Sequence, residues 1–116
     1  MKSESEVQQL IMLEAPKHGV VLMRNNSGGF KDDTGRMVFY GLGVVSQSQN
    51  KKIKSSDLIG LYRGRFIAVE VKREGWVYKG DERELAQLAF INWIRSHDGI
   101  AGFCSSVEDF LRLIGK

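Results

Sequence analysis

The sequence predicts an α/β fold in which a mixed β-sheet is flanked by helices. The central observation is a pair of short apolar runs, Leu58 to Tyr62 and Phe66 to Val71, on either side of Arg63-Gly64. Two strands joined by a two-residue loop pair antiparallel, so these runs predict a hairpin. Both faces of the hairpin are apolar, which is typical of strands that helices cover on both sides. Segments with helical periodicity before and after the hairpin predict those helices.

A helix and two strands are predicted before the hairpin. The helix extends from Glu4 to Lys17, and its apolar stripe contains Val7, Leu10, Ile11 and Leu13. Val20 to Asn25 predicts a strand, and residues 26 to 29, Asn-Ser-Gly-Gly, are typical of a turn. A further strand is predicted from Met37 to Tyr40, and a polar loop follows it to about Ser55. Long loops in compact domains are more often functional than idle.

The chain after the hairpin predicts a loop from Arg73 to Gly80, a helix ending near Ser96, a strand from Ile100 to Cys104 and a last helix through Leu113. The spacing of Asp81 and Glu84 predicts a capping box at the start of the first of these helices. Ser105 and Glu108 predict another capping box at the start of the last helix. The whole order is αβ(β)ββαβα.

Length and composition indicate one domain, residues 1–116, that buries a single core without disulfides or a structural metal. The one cysteine, Cys104, cannot form an internal bridge, and no Cys/His spacing suggests zinc. Since there is no signal peptide and no apolar run near 18 residues, we expect a soluble, intracellular protein with no membrane partner. The formal charge of +3 is mildly basic and does not by itself identify a nucleic-acid binder.

Three charged side chains are expected to meet at one end of the hairpin. If Tyr62 faces Arg65, Asp57 falls opposite Glu70, with β-carbons about 5 Å apart on one face. Lys72 is two residues further on and points to the same face. Adjacent carboxylates repel unless something positive lies between them, and hard divalent cations are held by one or two carboxylates. The arrangement predicts a metal site beside a lysine; a solvated cross-strand ion pair is the alternative.

Basic residues are clustered on both sides of these charges. Lys51, Lys52 and Lys54 precede Asp57, and the others follow it: Arg63, Arg65, Lys72, Arg73 and Lys79. A stripe of cations beside an acidic pocket would neutralise phosphates, so it indicates nucleic-acid binding that depends on salt. The alternative is a solvated surface run that has no ligand.

Several of these segments together resemble a known nuclease superfamily. Ser-Asp-Leu-Ile-Gly (56 to 60), a short turn and Ile-Ala-Val-Glu-Val-Lys (67 to 72) resemble the signature of the PD-(D/E)XK nucleases. More narrowly, the chain resembles the virus-type replication-repair nuclease (VRR-NUC) domain. The further matching positions are Glu6 on the first helix, Arg24, Asn26 and Gly28 in an Arg-x-Asn-x-Gly segment, Gln87, and the small-residue stretch 99–103. The resemblance covers nearly the whole chain, but residues 29 to 55 are longer and more polar than a bare connector.

This resemblance implies a restriction-endonuclease-like core and hydrolysis of phosphodiester bonds with Mg²⁺ or Mn²⁺ as cofactor. The metal would be held by Asp57, Glu70 and the carbonyl of Val71, and Glu6 would complete or support this ligand set. Such an ion polarises the scissile phosphate and lowers the pKa of a bound water. Lys72 would orient that water or stabilise the charge on the phosphoryl oxygens.

The other residues of the resemblance have roles that the sequence leaves open. Glu6 borders the buried face of its helix, and it either reaches the site or faces solvent as an ordinary first-turn glutamate. Gln87 lies on an apolar face, so its amide points inward and needs a partner. That partner is a water or phosphate oxygen at the metal, or a backbone carbonyl. Arg24 and Asn26 are expected to contact phosphate or support the site, because neither readily takes a proton.

Branched DNA is the substrate that the resemblance implies. Stand-alone VRR-NUC domains of this length, many from phages, are similar to Holliday-junction resolving enzymes, whereas family members in larger repair proteins act on flaps. Two symmetric nicks require two active sites, so the junction reaction implies a homodimer. Apolar residues in or near loops either supply its interface or cover the core: Trp76, Val77, Tyr78 and Phe39. A helicase or repair factor would recruit such an enzyme, and the sequence does not identify it.

Two other classes of function remain open. A binding module with the same fold would hold nucleic acid with the basic stripe and cut nothing, although the intact set of Asp57, Glu70 and Lys72 argues against lost catalysis. A metal-dependent hydrolase of small phosphate esters would need an enclosed pocket and would gain nothing from the basic stripe.

Overall fold

A computed structural model describes residues 1–25, 28–40 and 52–116. The helices are α1 (Glu4–Glu14), α2 (Glu82–Ser96) and α3 (Val107–Leu113), and a 3₁₀ turn, Ala15–His18, follows α1. The strands are β1 (Val21–Arg24), β2 (Gly28–Lys31), β3 (Met37–Tyr40), β4 (Leu58–Tyr62), β5 (Arg65–Val71) and β6 (Ile100–Cys104). The predicted class, a mixed sheet flanked by helices, is confirmed.

The main sheet has the strand order β1-β4-β5-β6. β4 is antiparallel to β1 and β5, and β6 is parallel to β5 after the crossover through α2. The hairpin has the predicted register, with Tyr62 opposite Arg65 and Ile59 opposite Ala68. Its turn residues, Arg63 and Gly64, have φ of 51° and 77°. Two left-handed residues give the turn whose twist matches that of antiparallel strands, and the turn therefore fixes the register.

Helices cover both faces of the sheet, as the apolar faces of the hairpin predict. On one face, the helices α1 and α3 contribute Val7, Ile11 and Phe110 to a core that contains Leu58, Ile67, Val69 and Val71 of the hairpin. On the other face, α2 packs Phe90, Ile91 and Ile94 against Ala68 and Ala101. The charged end of the hairpin lies between these two layers, so its side chains are partly removed from water.

The first predicted helix was too long by one turn. α1 ends at Glu14, and the following residues form the 3₁₀ turn. Pro16 explains the change, because a proline has no N–H to donate to the helical carbonyl four residues before it. Gly19 then ends the turn in the left-handed conformation, with φ of 74°. The predicted strand begins one residue later than expected, at Val21.

The turn predicted from residue 26 to residue 29 was wrong in part. Gly28 and Gly29 belong to strand β2 rather than to a turn, and β2 pairs with β3 in a separate two-stranded sheet.

The turn of this second hairpin is organised by Asp32, whose carboxylate accepts hydrogen bonds from the N–H groups of Thr34 and Arg36. The stretch 26–27 and residues 41–51 lie outside the described residues, so the predicted loop to Ser55 is described only at its end.

The start of α3 also differs from the prediction. Ser106, not Ser105, is the N-cap, and its hydroxyl accepts the N–H of Asp109. The Asp109 carboxylate in turn accepts hydrogen bonds from the N–H and hydroxyl of Ser105. The capping partners are therefore each one residue further along the chain than the Ser-x-x-Glu spacing predicts.

The sheet face beside α2 is incompletely covered at its β1 edge. Val21, Leu61 and Phe66 lie opposite one another across three strands, and all three are exposed. Met23, on the same face of β1, is also exposed. We call these four residues the apolar edge. None of the described helices is long and apolar enough to cross a membrane.

Candidate metal and nucleic-acid site

Asp57 and Glu70 meet at the end of the β4–β5 hairpin that is remote from its turn. Asp57 directly precedes β4, and its N–H donates to Glu70 Oε2 over 3.1 Å. The N–H of Val71 donates to Asp57 Oδ2 over 2.9 Å. Each carboxylate is therefore fixed by the backbone beside the other one. Glu70 is buried, with 3% of its surface exposed, and Asp57 is half-buried.

Burial and the neighbouring Asp57 carboxylate change the protonation of Glu70. Burial, together with the adjacent Asp57 carboxylate, raises the pKa of Glu70 to about 9, and the positive charge of Lys72 opposes this shift. The ionised form of Glu70 is therefore disfavoured at neutral pH unless a cation lies beside it. A divalent cation could replace the proton, because it neutralises both carboxylates at once.

Lys72 is held beside this pair by Gln87. Its Nζ donates to Gln87 Oε1 over 2.8 Å, and its backbone N–H donates to the carbonyl of Cys104 over 2.9 Å. Gln87 points inward as predicted, with 2% of its surface exposed. The partner of its amide oxygen is the Lys72 ammonium rather than a backbone carbonyl, an arrangement that the sequence did not predict.

The structure does not bring Glu6 to the carboxylate pair. Glu6 accepts hydrogen bonds from the N–H and hydroxyl of Ser3, while the Ser3 hydroxyl accepts the N–H of Glu6. This capping box begins α1. The Ser3-x-x-Glu6 spacing is the sequence signal that could have shown it.

Glu4 is the carboxylate of α1 that lies within the electric field of the pair. Burial, and then the negative charge of Asp57, raise the pKa of Glu4, while Lys72 and Arg83 oppose the shift. Sequence analysis did not select Glu4. It lies at the first position of α1, half a turn before Glu6, so the two side chains project in different directions.

Two hydrogen bonds from Asn25 support the strand end that carries Asp57. The N–H of Asn25 donates to the carbonyl of Asp57 over 2.8 Å, and its side-chain amide donates to the carbonyl of Ser56 over 2.9 Å. Asn25 was not predicted as a site residue, although it directly follows Arg24. The hydroxyl of Ser56 is buried without a hydrogen-bond partner among the described residues. Ser56 therefore adds an unpaired polar atom next to Asp57.

Glu84 holds the loop between β5 and α2. Its carboxylate accepts the indole N–H of Trp76 over 2.9 Å and the N–H groups of Lys79 and Gly80 over 3.0 and 2.8 Å. Burial alone would raise the pKa of Glu84, but these donors and the N–H of Asp81 together lower it. The predicted Asp81–Glu84 capping box is confirmed. Glu84 thus caps α2 and fixes the loop at the same time.

Three aromatic rings pack beside Lys72. The ring centroid of Trp76 lies 4.9 Å from that of Phe103, and Tyr78 lies 5.9 Å from Phe103. Lys72 Nζ is 5.3 Å from the Trp76 centroid. Of the predicted interface residues, Trp76 therefore covers the site, whereas Val77 is 68% exposed. The side chain of Phe39 lies outside the described residues.

The predicted basic stripe divides into two groups. Arg63 and Arg65 lie at the hairpin turn, where Arg63 stacks on the ring of Tyr62 and Arg65 Nε donates to the carbonyl of Asp98. They are at the opposite end of the hairpin from Asp57, so the prediction that they border the acidic pocket was wrong.

The positions of the other described basic residues are consistent with phosphate binding near Asp57 and Glu70. Arg24 is exposed and lies opposite Leu58, the residue after Asp57. The N–H of Lys54 donates to the carbonyl of Ala86, which ties the segment before Asp57 to α2. The remaining described members are also exposed: Lys52, Arg73 and Lys79. Asn26 and Lys51 lie outside the described residues.

The donor set fits a small, hard divalent cation. Among residues 1–25, 28–40 and 52–116, no group of three or more His, Cys, Asp or Glu side chains is arranged to hold a metal. Mg²⁺ does not need such a group, because it binds through one or two carboxylates and keeps several waters. Asp57 and Glu70 supply two carboxylates, and burial next to Asp57 raises the pKa of Glu70 despite the nearby Lys72, so a cation bound at the pair would favour the ionised form of Glu70.

No protein-family model and no curated protein matches this chain. The likeness to the PD-(D/E)XK nucleases therefore depends on the residues described above.

We expect the free energy of unfolding in EDTA to fall as pH rises from about 4.5 towards about 9. The pKa of Glu70 is about 9 in the native state against 4.5 for an ordinary glutamate. The native state therefore binds more protons in this range, and its stability falls by at most about 1.4 kcal/mol per pH unit. Urea unfolding at several pH values measures this slope.

The variant Glu70→Gln should remove most of that slope, because glutamine does not ionise. Glu108→Gln, which changes an exposed glutamate outside the site, should leave it unchanged. A wild-type stability that stays constant or increases across this range would show that the buried carboxyl is ionised without cost.

Proposed function

We propose that this chain is a metal-dependent, structure-selective endodeoxyribonuclease that hydrolyses phosphodiester bonds in branched DNA. In this proposal its sheet and helices form a restriction-endonuclease-like (PD-(D/E)XK) core of the VRR-NUC type. The observation that carries the proposal is the contact between Asp57 and Glu70, with Lys72 in their electric field. A buried carboxyl whose pKa is so far raised costs free energy, and such groups are concentrated at functional sites.

Asp57, Glu70 and the carbonyl of Val71 are the proposed ligands of Mg²⁺ or Mn²⁺. A bound ion would act as a Lewis acid on the scissile phosphate and provide a nucleophilic water at neutral pH. The chain prepares the ligands for this role, since backbone N–H groups orient one oxygen of each carboxylate. The other oxygen of each carboxylate then remains available to the metal.

Lys72 is the proposed donor to the phosphoryl oxygens. Its ammonium has three N–H groups, and the bond to Gln87 uses one of them. Gln87 and the nearby aromatic rings restrict the side chain to a narrow range of positions. A charge that is already in position stabilises the transition state without a cost for reorganisation at the moment of reaction.

The exposed basic residues at this end of the sheet are the proposed phosphate contacts. Arg24 and Lys54 flank the segment that carries Asp57, and Lys79 lies in the loop after β5. Contacts of this kind bind the DNA backbone and not the bases, which suits selection by structure. The contacts would also make binding weaker as the salt concentration rises.

A four-way junction as substrate requires a second copy of the chain, because one domain has one site. The apolar edge is the surface we assign to that copy. It is a continuous row across three strands, and a two-fold axis through it would place the same apolar side chains of both copies against each other. Stable dimers bury about 800 Å² on each partner. The four side chains of the apolar edge would form only the centre of an interface of that size.

Wild-type protein should nick branched DNA with Mg²⁺ or Mn²⁺ and leave it intact with EDTA. Lys72→Ala should lower the cleavage rate by about 10²- to 10³-fold, the usual effect of losing one charged donor to the transition state. A gel assay of labelled four-way junction, flap and duplex DNA measures the rates. Lys17→Ala, which removes an exposed lysine in the 3₁₀ turn after α1, is the control and should cut at the wild-type rate. Cleavage in EDTA would count against the metal site.

Glu4→Ala should weaken binding of the catalytic metal more than Glu6→Ala does. Glu4 lies in the field of Asp57, so its loss should raise the Mn²⁺ concentration for half-maximal rate by about tenfold, as for residues that support metal ligands. Glu6→Ala should lower only the melting temperature, because it removes a capping contact. If Glu6→Ala raises the Mn²⁺ requirement more than Glu4→Ala does, Glu6 supports the metal as the sequence predicts, and Glu4 does not.

Wild-type protein should be a dimer by light scattering at micromolar concentration. Leu61→Glu places a charge at the centre of the apolar edge and should produce monomers. Val77→Glu is the matched control, because Val77 is equally exposed but lies in the loop after β5. If only Val77→Glu disrupts the dimer, the loop is the interface; a monomeric wild type would remove the junction reaction from the proposal.

A further inference from the structure

Trp76, Tyr78 and Phe103 form an aromatic shelf beside the carboxylate pair. The rings of Trp76 and Phe103 pack in a tilted arrangement, with centroids 4.9 Å apart and planes at 36°. Tyr78 packs edge-on against Trp76 at 6.2 Å and also contacts Phe103. Phe103 belongs to β6 and is half-buried, so it forms the base of the shelf. Tyr78 is its outermost ring, with 40% of its surface exposed.

The shelf borders the place that the scissile phosphate would occupy. Lys72 Nζ lies 5.3 Å from the centroid of Trp76 and 5.8 Å from that of Phe103. The same ammonium is close enough to Glu70 to interact with its carboxyl group, so both the rings and the carboxylates are near Lys72. A phosphate bound at Lys72 would therefore have the base of a neighbouring nucleotide within reach of the rings.

The loop that carries these rings is fixed before any ligand binds. Glu84 holds the Trp76 indole and the N–H groups of Lys79 and Gly80, so three loop residues around Tyr78 have restricted positions. Gly80 has φ of 76°, and a Cβ there would lie 3.6 Å from the Tyr78 ring. A rigid aromatic surface binds a planar ligand with little further loss of conformational entropy.

We propose that Tyr78, supported by Trp76 and Phe103, stacks an unpaired nucleobase next to the phosphate that is cut. This inference rests on the proposed nuclease function and narrows its substrate to DNA with unpaired nucleotides at the branch. Aromatic rings stack every base without reading its identity, as in proteins that bind single strands. A base inside a continuous duplex is already stacked on its neighbours, so it cannot occupy the shelf.

Lys79 supports this assignment because it is exposed next to Tyr78. Sites for single-stranded nucleic acid combine aromatic rings with cations that contact the backbone. Lys72 lies near the rings of Trp76 and Phe103, and Lys79 directly follows Tyr78 in the chain, so the backbone of a stacked nucleotide would have two cations close to it.

The test measures binding of a flap substrate in Ca²⁺, under which cleavage is expected not to occur. Tyr78→Ala should weaken binding of the flap by about tenfold, within the range for loss of one stacked base, and should not change binding of continuous duplex. Tyr78→Phe keeps the ring and should bind like wild type. Val77→Ala changes the more exposed neighbour in the same loop and should also bind like wild type.

The second half of the test changes the DNA instead of the protein. An abasic site at the stacked position should weaken binding to wild type by about the same factor and should cause no further loss in Tyr78→Ala. Tyr78→Leu keeps an apolar cover over Trp76, so it separates stacking from folding: it should be folded by circular dichroism and bind weakly. If Tyr78→Leu binds like wild type, or if no abasic position affects the wild type, Tyr78 only covers the core and the inference is wrong.

Cleavage is measured separately with Mg²⁺ on the same unmodified flap. If the wild-type protein binds the flap with the predicted pattern but never cuts it, the nuclease proposal fails and the stacking site remains. If it cuts the flap and Tyr78→Ala cuts and binds equally well, the nuclease proposal stands and the stacking site is excluded.

Discussion

The site depends on keeping two carboxylates, Asp57 and Glu70, in contact at one end of a β-hairpin. The contact is unfavourable by itself, and it persists because the register of the hairpin permits no other arrangement. A slip of one residue would turn the apolar side chains of β5 to the wrong faces of the sheet. The cores on both faces therefore stabilise the register, and the register imposes the contact.

Helix α2 positions the groups that surround this carboxylate pair. Gln87 and Glu84 lie three residues apart, so they project from neighbouring positions of the helix. Gln87 holds Lys72, while Glu84 holds the loop that carries Trp76 and Tyr78. The same helix packs its apolar face on β5 and β6. The residue types at these positions thus give α2 three roles: to cover the sheet, to place the lysine and to fix the aromatic rings.

Local rules were sufficient for the hairpin and for the inward direction of Gln87, and they failed where a residue's role depended on contacts between distant segments. The two-residue turn and alternating side chains predicted the contact of Asp57 with Glu70. Glu4 and Glu6 are both glutamates in one turn of α1. The Ser3-x-x-Glu6 spacing is a local signal for the cap, but the interaction of Glu4 with Asp57 depends on how α1 packs on the sheet and has no local signal. The aromatic cluster joins residues 76 and 103, whose proximity follows from the parallel pairing of β5 with β6 and has no local signal.

Titration of Mn²⁺ by calorimetry, in two buffers with different ionisation enthalpies, is the most direct test of the carboxylate pair as a metal site. We expect one bound ion at neutral pH together with the release of about one proton, since the cation displaces the proton of Glu70. Asp57→Asn should abolish both. Absence of binding in the wild type, or binding without proton release that is unchanged in Asp57→Asn, would contradict the account.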